Sequence, residues 1–115
     1  MPLDYTASVQ LAWVLVDLGR PAELAPRLEG LGAPPWADVS AAIARGAFEE
    51  AADRLAEMAC FSEEAYARLR AARVLAEGGR RQEADAQLRR AIDFYRSVGA
   101  RRFIDEGQAL LAKST

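Results

Sequence analysis

The chain has 115 residues, a net charge of −2 and a hydrophobic fraction of 51%, much of it alanine. That length fits one domain, and that balance of charge and apolar content excludes intrinsic disorder and a general affinity for nucleic acid or membrane. A single cysteine excludes an internal disulfide and a cysteine-rich zinc site, and the lack of any histidine removes the commonest general base and metal ligand.

In chain order, the first predicted helix runs from Thr6 to Leu18, with Asp4 or Thr6 able to cap it. The second covers Pro21 to Leu31. Pro21 suits a first helical position, where a missing N–H is no loss; Pro26 lies inside the segment and predicts a kink or a late start. Gly32-Ala33-Pro34-Pro35 is the clearest break. A short third helix follows over Trp36–Arg45, ended by Gly46, and a fourth over Phe48–Ala59. Ser62 is the predicted cap of the fifth helix, with Glu63 and Glu64 facing the positive end of its dipole. That helix reaches Glu77, and Gly78-Gly79 makes the turn. The sixth spans Arg81–Val98 and stops at Gly99; the seventh spans Arg101–Lys113. Links of two or three residues make neighbouring helices antiparallel. The fold class is therefore all-α, with three hairpins and a last single helix.

A short pattern recurs at the hairpin corners: glycine, then glutamate four residues on, a small or apolar residue next, and leucine four further. It reads Gly19, Glu23, Leu24, Leu28; Gly46, Glu50, Ala51, Leu55; and Gly79, Glu83, Ala84, Leu88. The glycines stand 27 residues apart (from 19 to 46) and 33 apart (from 46 to 79). A period in this range marks stacked helical hairpins. The small residue lets two helices approach, and the leucine fills the space one turn on. Ala91 and Phe94 extend that stripe, opposite Ala72 and Leu75; Ala12 and Leu15 hold the matching places before Gly19.

The spacing of Ala72, Gly79, Ala84 and Ala91 resembles the tetratricopeptide repeat. The likeness is good for residues 66–95, fair for 36–60 and poor for 6–31, with Tyr66 offset from the family's first aromatic and its closing proline absent. It implies a single domain over residues 1–115: a right-handed superhelix of about three hairpins, the first (6–31) degenerate, with residues 101–113 as a capping helix. A second stretch, Arg89-Arg90-Ala91-Ile92-Asp93-Phe94-Tyr95-Arg96-Ser97-Val98-Gly99-Ala100, continuing through Phe103-Ile104 to Ala109-Leu110-Leu111-Ala112, is similar to the C-terminal tails of actinobacterial multidomain regulators of the cyclase-like and ATPase-like kind. That resemblance covers roughly residues 40–113. It implies the tail of something larger, or a free-standing relative, and carries over no catalytic residue.

No constellation for chemistry stands out, so neither an enzyme nor a cofactor or metal site is expected. Gly78-Gly79-Arg80 lacks the Lys-Ser/Thr ending of a phosphate loop and follows a helix. Glu49-Glu50 and Glu63-Glu64 point to different helix faces. Cys60 reads as a small buried apolar residue. The many arginines of residues 68–102 are interleaved with acids, so nucleic acid is an unlikely partner. Met1-Pro2-Leu3-Asp4 has no basic signal-peptide region, and the longest apolar run, Leu11 to Val16, is too short to span a bilayer. A cytoplasmic location is the expectation.

The expected function is protein–protein recognition, regulatory in character, with a protein or peptide partner. In the repeat family the first helix of each hairpin lines the concave face. The resemblance makes Trp13 and Arg73 equivalent, six residues before their glycines, and Asp17 and Glu77 equivalent, two before; Arg70 lies one turn from Arg73. Trp13, Asp17, Arg70, Arg73 and Glu77 are thus the candidate partner-binding residues, with arginines suited to a carboxylate. The charge is polarised: residues 1–60 carry four Arg against nine acids, and residues 61–115 ten Arg and one Lys against eight. The first helix is apolar nearly all round, which normally means burial on more than one side. Val9, Trp13 and Val16 are its candidate self-association residues, and a homodimer or spacer within a larger regulator is the alternative function.

Overall fold

Each described corner between helices is closed the same way. The residue at the corner takes a left-handed backbone: Gly19 (φ 72°), Gly46 (79°), Ala59 (58°), Gly79 (80°) and Gly99 (68°). Its N–H donates to the carbonyl three residues back, and the next N–H donates five back. At Gly79 these bonds are Gly79 N to Ala76 O, 3.1 Å, and Arg80 N to Leu75 O, 2.8 Å. This is the Schellman motif, which satisfies carbonyls a helix end would otherwise orphan.

In the computed structural model residues 6–24 and 34–113 are described. Among them lie six α-helices and no strand: α1 (Thr6–Asp17), α2 (Pro34–Ala44), α3 (Phe48–Glu57), α4 (Phe61–Glu77), α5 (Arg81–Ser97) and α6 (Arg101–Lys113), with a 3-10 turn at Pro21–Glu23 after α1. The all-helical class is as expected.

Of the second predicted helix, Pro21–Leu31, only residues 21–24 are described, a 3-10 turn at Pro21–Glu23 followed by a helical Leu24; the rest, with the Pro26 kink or late start, lies outside the described residues. Two local expectations are corrected. α2 begins at Pro34, not Trp36, because the first helical turn needs no N–H donors from its own residues and accepts both prolines. Ser62 does not cap α4: the cap position is Cys60, with no side-chain hydrogen bond, and the Ser62 hydroxyl donates to Glu63 Oε2 at 2.9 Å. The left-handed Ala59 turns the chain so sharply that Phe61 is already helical, leaving Ser62 inside the first turn.

The chain forms two compact units, residues 1–54 and 55–115, with the division inside α3. In the first unit α1 packs against α2. Val9, Ala12 and Trp13 of α1 are buried, as are Val39, Ala42 and Ile43 of α2. The Trp13 ring meets Phe48 at a centroid distance of 5.0 Å, and Arg54 of α3 reaches Asp38 of α2 at 3.8 Å.

In the second unit α4 packs on α5 and α5 on α6. The core joins Ala65, Leu69, Ala72 and Leu75 of α4 to Ala84, Leu88, Ala91 and Tyr95 of α5. Ala72, Leu75, Ala84, Leu88 and Ala91 are positions the recurring pattern picks out; Ala65, Leu69 and Tyr95 lie outside it, and Phe94 is only partly buried. Each buried leucine contributes about 1.5–3 kcal/mol relative to exposure. Phe103, Ile104 and Leu110 of α6 cover the far side, while Arg102, Asp105 and Glu106 face water. Gly107 is what lets α6 settle so close. A Cβ there would stand 2.8 Å from Ile92 Cγ1 and 3.0 Å from its Cδ1.

The recurring glutamate has its own role. Glu23, Glu50 and Glu83 each pair with an arginine at their corner: Arg20, Arg45 and Arg80. All six side chains are solvent-accessible, so each pair contributes at most about 1 kcal/mol. The acid also sits in the first turn of its helical segment, where the dipole favours it.

Candidate functional site

α4 carries Tyr66, Arg70, Arg73 and Glu77 at steps of four, three and four residues, which places them on one stripe. The stripe lies away from the Ala65–Leu69–Ala72 core edge, and its long side chains lean on one another. Arg70 Nη1 donates to the Tyr66 hydroxyl at 3.0 Å, with the guanidinium carbon 5.7 Å from the ring centroid. That combination of hydrogen bond and cation–π contact holds Arg70 against the Tyr66 ring. One turn on, Arg73 Nη2 donates to Glu106 Oε1 of α6 at 3.2 Å. Both partners are about two-fifths exposed (41% and 42%), so solvent competes for this pair.

Tyr95 of α5 lies beneath the stripe. Its ring stacks on Phe103 at 4.8 Å with an interplanar angle of 16°. Burial is the main reason its phenol is pushed up to about 12, with the charges of Tyr66 and Glu106 adding to the effect. It therefore remains a neutral hydroxyl at physiological pH.

Of the five candidate partner-binding residues, Arg70, Arg73 and Glu77 share this stripe. Trp13 and Asp17 belong to the first unit. Asp17 is exposed, but Trp13 is only 7% accessible and packs on Phe48. Of the self-association residues, Val9 and Trp13 are buried and Val16 is half-buried. The large apolar groups left in water on α1 and in the turn that follows it are Val14 (52%) and Leu18 (60%). A helix apolar on every side gives no sequence signal for which side packs, and packing chose the Val9–Ala12–Trp13–Val16 side.

Sequence reasoning passed over three other groups. Tyr66 was legible from its four-residue spacing to Arg70. Glu106 lies 33 residues from Arg73 in sequence, and nothing local links them. Arg68 belongs to the arginine-rich stretch weighed only for phosphate contacts, and it is 1% exposed. Its Nε donates to Glu64 Oε2 at 2.6 Å and its Nη1 to Gln87 Oε1 at 2.8 Å, so a buried charge is paired and hydrogen-bonded across α4 and α5.

Cys60 is half-buried, not fully buried, because it sits at the α3–α4 corner. Burial first, and Glu63 second, push its thiol up, and its Sγ donates to Met58 O at 3.7 Å. A protonated thiol is a poor nucleophile. Among the described residues no cluster of three or more His, Cys, Asp or Glu is arranged to hold a metal ion, and no helix is long and apolar enough to cross a membrane. No family model, curated protein or solved structure matches the chain.

Proposed function

We propose that this chain is a regulatory protein–protein interaction module: a tetratricopeptide-like, right-handed helical array, acting in the cytoplasm, that presents a surface and carries out no chemistry of its own. The observation that carries this reading is the Tyr66–Arg70–Arg73–Glu77 stripe on α4. Two arginines one turn apart, one steadied by a tyrosine and the other sharing an accessible glutamate, suit a partner peptide that supplies carboxylates. An incoming carboxylate at Arg73 replaces the exposed Glu106 at little cost, because the existing pair is largely solvated.

A glutamate-rich peptide titrated into the labelled chain tests this. Binding that shifts the Arg70 and Arg73 signals, weakens with salt and is lost in an Arg70→Ala/Arg73→Ala double variant supports the reading. Undiminished binding by the double variant removes it.

The alternative is self-association or a spacer role within a larger regulator, and Val14 and Leu18 are what favour it. Light scattering distinguishes the two. A dimer that Leu18→Glu converts to monomer favours the alternative; a monomer at high concentration does not.

A further inference from the structure

On the side of the second unit where α4 begins and α5 ends lies a groove of about 290 Å³, lined by Phe61, Glu64, Ala65, Arg68, Arg90, Asp93 and Phe94. It is distinct from the Tyr66–Arg70–Arg73 stripe. Phe61 leaves 54% of its surface in water although it heads a helix whose other face is well packed. Phe94, partly buried against the core, stands across from it. An exposed aromatic beside a concavity is the apolar half of a recognition site.

The polar half follows from charge. The Glu64 side chain is only 13% exposed and takes its short hydrogen bond from the buried Arg68. Arg90 approaches the same carboxylate at 3.5 Å, with 58% of its own side chain exposed. Two guanidinium groups therefore share one carboxylate, and Arg90, the outer one, keeps donors for another acid. Asp93 stands one turn beyond Arg90 at the outer edge, so the groove offers a cation and an anion in fixed order along α5.

We propose that this groove docks a segment of a partner protein carrying a bulky apolar side chain flanked by an acid on one side and a basic residue on the other. The apolar side chain enters between Phe61 and Phe94, the acid takes Arg90, and the base takes Asp93. This pair of opposite charges excludes a uniformly acidic or uniformly basic segment. The surface is separate from the α4 stripe, so either can fail without the other.

The test uses the whole isotope-labelled chain and the probe acetyl-Glu-Phe-Ala-Lys-amide at millimolar concentration, where one buried side chain and two exposed ion pairs place an affinity. Amide shifts clustered at Phe61, Ala65, Arg90 and Phe94 are expected. The probe with alanine for phenylalanine should bind about tenfold more weakly, matching the loss of one buried aromatic, and so should the natural probe on Phe61→Ala. The probe with alanine in place of both charged residues should also bind more weakly. Shifts confined to Tyr66, Arg70 and Arg73, no shifts at all, or equal binding of the alanine probe would overturn the proposal. The probe series runs on the unmutated chain, so misfolding of a variant leaves the decision intact.

Discussion

Ala59 holds a left-handed backbone at φ 58° and is exposed, so its methyl group packs on little while its conformation is strained. A non-glycine residue in this region costs about 1–2 kcal/mol, partly offset by the extra unfolded-state freedom that glycine brings. Ala59→Gly should therefore raise stability by about 0.5–1 kcal/mol, read as a higher urea midpoint with unchanged slope. Tyr95 makes the second prediction at this scale. Its folded pKa is raised to about 12 from an ordinary value of about 10, so the fold prefers the neutral phenol. That preference is fully present below pH ~10 and lost as pH rises towards ~12. Over that window the melting temperature should fall further in the natural chain than in Tyr95→Phe, and spectrophotometric titration should show one late tyrosine.

At the scale of elements, α5 is held from two sides by different devices. Towards α4 it presents Ala84, Leu88 and Ala91, all at most 1% exposed. Leu88→Ala leaves a cavity there and should cost about 2–5 kcal/mol. Towards α6 it presents Ile92 to Gly107. Gly107→Ala gains up to about 1 kcal/mol in helix propensity. It also forces a methyl to within 2.8 Å of Ile92 Cγ1, an overpacking cost of about 1–3 kcal/mol. The net effect should be destabilising, seen as a lower melting temperature, and relieved when Ile92→Ala is added. The paired alanines and leucines were legible because their spacing repeats the turn of a helix. The Gly107–Ile92 approach was not, since glycine in a helical pattern reads first as a weakness.

For the whole molecule, the lack of histidine has a direct consequence. No side chain of ordinary pKa titrates near neutrality, and the Cys60 thiol is displaced upward. The melting temperature should stay within about 2 °C between pH 6 and 8; a larger change would reveal a strongly perturbed carboxylate. Alanine content, corner glycines and leucine spacing determined on their own that the described residues are helical and where their five corners fall, because helix period and left-handed backbone are local properties. The corner at Ala59 is placed without a glycine, by the end of the Phe48–Ala59 pattern and the start of the next; only its cap, Cys60 and not Ser62, differs. Tertiary structure alone decided which side of the all-apolar α1 is buried, that Arg68 goes inside while Arg70 and Arg73 stay out, and that Glu106 meets Arg73. Each of these depends on which helix lies opposite, and that is a long-range property no local pattern encodes.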